Sequence, residues 1–158
     1  PDEMWSVSLD RGTHISDPTW VALDSQNSAL LVTTIDSSDA IVAVGSFQNT
    51  ISFDDGTSTL SATGGQADSD VFIAKFSSAG THLFSNNYGG TEIDEALSVD
   101  LETTTNEVAV GGYTLGSIDF GQALTNSAGE RGYVVRLNAN LSTHQFSTLF
   151  EGSDAYAL

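Results

Sequence analysis

The sequence has no cysteine, two prolines, and one lysine among its four basic residues. The lack of cysteine excludes disulfides, thiol catalysis and thiolate metal sites. Every apolar run falls short of the roughly 20 residues that a membrane helix needs, so we expect no membrane insertion. The 21 acidic residues give a net charge of -17. This charge argues against nucleic acid as a partner, because phosphates are bound by basic side chains.

The sequence does contain enough apolar material for one domain, since 39% of its 158 residues are hydrophobic. Its loops are rich in Ser, Thr, Asn and Gly, and its charge is almost entirely acidic. Such a surface is typical of an extracellular or cell-surface protein of a bacterium or archaeon in a salty medium, where ions screen self-repulsion. An acidic cytosolic protein is the alternative.

Short apolar runs rich in β-branched residues, bounded by Gly, Asn, Asp or Ser, fill most of the chain. Val71–Phe76, Val108–Val110 and Tyr133–Leu137 are examples. These patterns are typical of strands separated by turns. The best helical candidate, Thr91–Leu101, fits equally well a loop that leads into a strand. The predicted fold is therefore all-β.

The later part of the chain repeats the earlier part block by block, at offsets of 61 to 67 residues. The matched blocks are Ile41–Phe47 with Glu107–Tyr113, Thr50–Phe53 with Ser117–Phe120, Phe72–Phe76 with Tyr133–Leu137, and Thr81–Ser85 with Thr143–Ser147. Each unit supplies about four strands. Such repeats usually build stacked sheets, so we expect a β-propeller-like array of four-stranded antiparallel sheets.

The predicted organisation is one all-β segment over residues 1–158, with about two and a half repeat units. Residues 1–40 form a partial first unit with an insertion, 41–106 a full unit, and 107–158 a second, truncated unit. Because propellers typically have 4–8 blades, we expect the chain to be part of something longer or to be completed by other copies of itself.

One segment fits the repeat poorly. Val21–Asp24 matches Leu97–Asp100, which leaves Ser28–Ile35 without a counterpart after Asp100. This apolar stretch is expected to be an extra strand at the edge of a sheet.

Several motifs of the units belong to a known pattern, and they cover most of residues 39–158. They are Val44-Gly45-Ser46-Phe47, Ile118-Asp119-Phe120-Gly121, Asp70-Val71-Phe72-Ile73-Ala74-Lys75-Phe76, Gly89-Gly90, Asp94-Glu95-Ala96 and Val99-Asp100. The chain resembles the bacterial β-propeller repeats often labelled SBBP, found in large secreted and cell-surface proteins. The resemblance implies a propeller fold and an extracellular setting.

The second unit departs from the first at two positions: Gly132 stands for Asp70, and Arg136 stands for Lys75. The basic side chain at the latter position is expected to lie along a sheet and pair with an acid, either Asp94 or Asp100.

The candidate metal ligands are carboxylates in acid-rich loops. Ca²⁺ takes 6–8 oxygen ligands, and the turns that carry Asp68 and Asp70, or Asp54 and Asp55, offer carboxylates. No complete EF-hand loop is present. Asp also favours turns for its own hydrogen bonding, so the same residues fit a purely structural role. No other cofactor is expected.

The sequence offers little catalytic chemistry. No zinc-protease, nucleophile-elbow or P-loop motif is present. Glu92, Asp94 and Glu95 are the candidates for a carboxylate pair, but neighbours on a strand point to opposite faces. His82 and His144 occupy equivalent repeat positions, which separates them in space. We therefore expect no enzymatic activity.

Three functional hypotheses remain. The first is a non-enzymatic structural, adhesive or protein-interaction module of a secreted or cell-surface protein. The second is a carbohydrate-binding module, or an accessory segment of a polysaccharide-degrading enzyme, with Trp20 as the residue that stacks on a glycan. The third is a self-assembling subunit completed by strand addition from neighbouring copies.

Overall fold

The structure is a computed structural model that describes residues 4–7, 19–23, 31–53, 58–64, 67–126 and 129–150. The side chains of residues 4–7, 19–23 and 31–32 lie outside this description. The strands are β1 (Met4–Val7), β2 (Thr19–Leu23), β3 (Leu31–Ile35), β4 (Ile41–Phe47), β5 (Thr50–Phe53), β6 (Ser58–Ser61), β7 (Asp70–Phe76), β8 (His82–Tyr88), β9 (Asp94–Leu101), β10 (Val108–Thr114), β11 (Ile118–Asp119), β12 (Ala123–Leu124), β13 (Arg131–Leu137) and β14 (His144–Phe150).

These strands form three antiparallel sheets of four strands and one separate hairpin, β11–β12. The N-terminal sheet has the order β1-β2-β5-β6, the middle sheet β3-β4-β7-β8, and the C-terminal sheet β9-β10-β13-β14. The described ranges contain no helix. The predicted all-β class and the four-stranded antiparallel sheets are therefore confirmed. In the described part of the chain, no helix is long and apolar enough to cross a membrane.

The middle and C-terminal sheets are two copies of one unit. Each has the same strand order, and each carries a hairpin between its second and third strands, β5–β6 in one and β11–β12 in the other. A bulge also recurs, between Lys75 and Phe76 in the first copy and between Arg136 and Leu137 in the second. The predicted unit boundaries after residues 40 and 106 fall between the first and second strands of these sheets.

Ser28–Ile35 contributes a strand at the edge of a sheet, as expected, but the expectation that this strand has no counterpart is wrong. Its strand, β3, lies at the edge of the middle sheet and pairs with β4, as β9 pairs with β10. The segment matched to Leu97–Asp100, by contrast, forms β2, which pairs with β1 and β5 in another sheet. Strand pairing is a long-range property, so a match of four residues could not decide it.

The repeat alignment also shifts by one residue in the second strand. Ile41 lies opposite Phe76, and Val108 lies opposite Leu137, so Ile41 corresponds to Val108 rather than to Glu107. The turns before these strands agree, since Asp39 and Asn106 both have positive φ, at 60° and 56°. By the same pairing, the counterpart of Asp70 is Arg131 rather than Gly132, which is instead the counterpart of Val71.

Two apolar cores lie on opposite faces of the middle sheet. One core, between the middle sheet and the β5–β6 hairpin, contains Ile41, Ala43, Phe47, Ile51, Phe53, Phe72, Ala74 and Phe76. The other, between the middle and C-terminal sheets, contains Val42, Val44, Val71, Ile73, Tyr88, Ala96, Val108, Val110, Ile118, Phe120, Tyr133, Val135, Leu137 and Leu141. The alternation of side chains along each strand fills both cores at once.

Candidate functional site at the junction of the sheets

The predicted ligands divide between described and undescribed parts of the chain. Asp54 and Asp55 lie outside the described residues, and Trp20 lies in β2, where only the backbone is described. Asp68 is half-buried in the loop before β7, and Asp70 is the first residue of that strand, fully buried. In the described ranges no three His, Cys, Asp or Glu side chains gather as a metal site.

Asp70 lies at the end of the middle sheet, with its carboxylate turned inward. Its Oδ2 accepts hydrogen bonds from the Thr63 amide at 3.0 Å and the Asn87 side chain at 2.9 Å. Its Oδ1 is buried and has no hydrogen-bond partner. A Cβ on Gly89 would collide with this carboxylate, so the glycine allows the backbone to approach it closely.

Asp94 begins the C-terminal sheet and is also fully buried. Its Oδ2 accepts a hydrogen bond from the Gly90 amide at 2.9 Å, and its backbone amide donates to the Ser69 carbonyl at 2.8 Å. Its Oδ1, like that of Asp70, is buried and unpartnered. Both carboxylates therefore lie beside the Gly89–Gly90 link between the sheets, which we call the junction.

Burial makes both carboxyls at the junction hard to ionise. Burial, together with the charges of Asp70 and Glu92, raises the pKa of Asp94 to about 6, although the Thr114 hydroxyl and the Gly90 amide act to lower this pKa. Burial also raises the pKa of Asp70, despite hydrogen bonds from Thr63 and Asn87. Burial and the nearby charges of Asp94 and Glu95 hold the pKa of Tyr133 well above its ordinary value.

A third buried carboxylate, Asp36, has the opposite environment. It forms an ion pair with Lys75 at 2.8 Å, and its Oδ1 accepts from the amides of Ser38 and Ala40. Burial opposes ionisation, but these hydrogen bonds and the lysine charge outweigh it and lower the pKa of Asp36. The predicted partners of Lys75, Asp94 and Asp100, are thus wrong, because the turn before β4 places Asp36 nearer.

Lys75 also links the two sheets. Its ammonium donates to the Ala139 carbonyl at 2.9 Å, in the turn between β13 and β14. The Tyr88 hydroxyl donates to the Leu141 carbonyl of the same turn, at 3.3 Å. The corresponding base of the C-terminal sheet, Arg136, pairs with Glu107 at the surface.

The two histidine candidates contact neighbouring side chains of the fold. His82 stacks on Phe53 with ring centroids 5.5 Å apart, and its Nδ1 lies 3.2 Å from the Ser58 hydroxyl. His144 contacts the Ser147 hydroxyl within its own strand. The catalytic candidates Asp94 and Glu95 are separated by the alternation of β9, because Asp94 is buried and Glu95 is partly exposed.

Sequence reasoning missed the role of Asp36 and the burial of both Asp70 and Asp94 at the junction. One signal was available: Asp94 alternates in step with Ala96 and Ser98, which are buried. A carboxylate in phase with a buried face predicts an inward-pointing acid. A scan against models of protein families finds no match, and no curated protein is similar in sequence.

Proposed function

We propose that this chain is a non-enzymatic interaction module of an extracellular or cell-surface protein, whose sheets stack as β-propeller blades. The observation that carries the proposal is the exposed face of the C-terminal sheet. By the repeat, this face corresponds to the face of the middle sheet that the C-terminal sheet covers.

The two faces can be compared position by position. In the middle sheet Val42, Ile73 and Tyr88 are buried in the core between the sheets. Their counterparts in the C-terminal sheet, Ala109, Val134 and Phe150, lie on its outward face, and all three are exposed in part. The Phe150 ring covers Gly132 and is 37% exposed.

A further four-stranded sheet is the partner that this face fits, because a sheet of the same unit already packs on the equivalent face of the middle sheet. Copies of the chain supply such a sheet. Catalysis at Asp70 and Asp94 is disfavoured, because both residues are fully buried, where a substrate has no access.

The test is the mass of the chain in solution, by light scattering behind a sizing column. We expect self-association that increases in about 1 M salt, where the Debye length is about 3 Å and the acidic copies repel less. Val134→Glu on the outward face should abolish it, while the control Thr103→Glu, in an exposed turn, should not. A monomer at every concentration and salt would contradict self-association through this face.

A further inference from the structure

We propose that Asp70 and Asp94 form a Ca²⁺ site at the junction between the middle and C-terminal sheets. The site does not depend on the stacking of a further sheet, and it differs from the ligand set that the sequence indicates, since Asp94 replaces Asp68 as the partner of Asp70.

The unpartnered oxygens carry this inference. Both side chains are fully buried, and in each the Oδ2 atom is satisfied by protein donors while the Oδ1 atom has no partner. A buried acceptor without a donor is costly, and a buried carboxylate far more so. Two such oxygens at one junction indicate a bound positive charge.

The backbone brings the two carboxylates to one place. Asp94 bonds through its amide to the carbonyl of Ser69, the residue before Asp70. Gly89 lies against the Asp70 carboxylate, and the Gly90 amide donates to the Asp94 carboxylate. The two residues that contact these carboxylates are therefore joined by a single peptide bond. The Asp70 Oδ1 atom lies so close to the Gly89 backbone that a side chain at Gly89 would collide with it.

The surrounding charges favour a cation. Asp68 acts on Asp70, and Glu92 acts on Asp94, and both are negative. The only lysine of the chain is held by Asp36. In the described residues neither carboxylate forms an ion pair, so a divalent ion would neutralise both.

The donor chemistry selects Ca²⁺ among common ions. The unpartnered atoms that could ligate a metal at the junction are oxygens, whereas Zn²⁺ favours nitrogen and sulfur ligands. Mg²⁺ retains several waters and needs strict octahedral geometry, which a buried pair accommodates poorly. Two carboxylates completed by backbone carbonyls and water resemble the weak extracellular class, with a Kd of roughly 0.1–1 mM.

The experiment compares thermal unfolding in EDTA and in CaCl₂ at constant ionic strength. At Ca²⁺ about ten times Kd we expect a rise in Tm of about 3–6 °C. Asp70→Asn and Asp94→Asn should lose this rise, whereas Asp100→Asn, an exposed carboxylate of the same strand, should keep it. An equal rise with Mg²⁺, or an unchanged Ca²⁺ response in both junction variants, would overturn the proposal.

If the variants fail to fold, a second measurement on the unmodified chain tests the same proposal. Tb³⁺ replaces Ca²⁺ at oxygen sites, and Tyr133, which donates to the carbonyl of Glu95 beside Asp94, is placed to sensitise it. We expect Tb³⁺ emission on tyrosine excitation that saturates at one ion per chain and is displaced by Ca²⁺ but not by equal Mg²⁺. Emission that does not saturate, or that Mg²⁺ displaces equally, would also overturn the proposal, and neither readout depends on self-association.

Discussion

The middle and C-terminal sheets share strand order, hairpin, bulge and turn geometry, yet they differ in what surrounds them. The middle sheet is covered on both faces, and even its base, Lys75, is held between two turns. In the described part of the chain the C-terminal sheet is covered on one face, and the base equivalent to Lys75, Arg136, lies at the surface. A repeat thus specifies topology, while the neighbours of each copy decide how much stability its residues contribute.

The largest expected difference concerns Tyr88 and its counterpart Phe150. Tyr88 is 7% exposed and packs on Phe120 with ring centroids 5.0 Å apart. Tyr88→Ala should lower the free energy of unfolding by about 3–5 kcal/mol, and Phe150→Ala by about 1 kcal/mol. Urea unfolding measures both, with an unchanged m-value as the control for two-state behaviour.

Equal losses of unfolding free energy in the two variants, measured at low protein concentration, would contradict the difference in burial between the two sheets. A loss for Phe150→Ala that increases with protein concentration would instead sharpen it, because self-association covers the outward face.

The stability lost on removing the basic residue should differ between the two ion pairs by a similar factor. The side chains of Lys75 and Asp36 are 13% and 3% exposed, against 46% and 24% for Arg136 and Glu107. Lys75→Met leaves a buried carboxylate uncompensated and should cost about 3 kcal/mol. Arg136→Met should cost less than about 1 kcal/mol, because its pair is in contact with water.

Chemical denaturation of both variants measures these losses. The double variant Lys75→Met with Asp36→Asn is the control, since it removes the uncompensated charge and should recover part of the stability. A double variant as unstable as Lys75→Met alone would show that the lysine acts through packing and its bond to Ala139 rather than through Asp36.

Acid should remove the contribution of Asp36. Its pKa is lowered in the folded protein, so the charged form stabilises the fold above the ordinary value of 3.8. This stability is lost as the pH falls below that value and through the lowered folded pKa. The difference in unfolding free energy between the unmodified chain and Asp36→Asn, followed from pH 6 to pH 2, should therefore shrink.

The matched control for the acid experiment is Asp39→Asn, which removes an exposed carboxylate from the same turn. A constant difference for Asp36→Asn over the same range would mean that the ion pair with Lys75 adds no stability.

Local patterns of the sequence were sufficient to predict the all-β class and the presence of a repeat. Short β-branched runs bounded by turn residues identify β7 and β13, and the match of Thr50–Phe53 with Ser117–Phe120 identifies the paired hairpins. These features depend on neighbours in sequence. They are therefore visible without knowledge of the tertiary structure.

The partners of single residues could not be predicted in the same way. Lys75 contacts Asp36 and Ala139, which lie far from it in the sequence and on two different sheets. The counterpart of β3 was missed, because a match of four residues does not reveal which strand a segment pairs with. The unpartnered oxygens of Asp70 and Asp94 depend on backbone geometry at Gly89, which composition does not encode.

The smallest expected difference concerns the turn before the second strand of each sheet. Asp39 and Asn106 hold equivalent left-handed positions, but only Asn106 bridges the sheets: its side chain donates to the Ser37 hydroxyl at 2.8 Å and accepts from the Ser37 amide at 3.1 Å. Asp39→Gly should stabilise the chain by about 0.5 kcal/mol by relieving the left-handed strain. Asn106→Gly loses both bonds and should destabilise it by about 0.5–1 kcal/mol.

Opposite shifts of Tm in these two glycine variants are therefore the expected result, measured by calorimetry with Ser37→Ala as the reference. Ser37→Ala removes the hydroxyl contact alone, so its loss should be part of that in Asn106→Gly. Shifts of the same sign would mean that backbone strain outweighs the contact between the turns, and that the two sheets are joined by their apolar core and by Lys75 without help from Asn106.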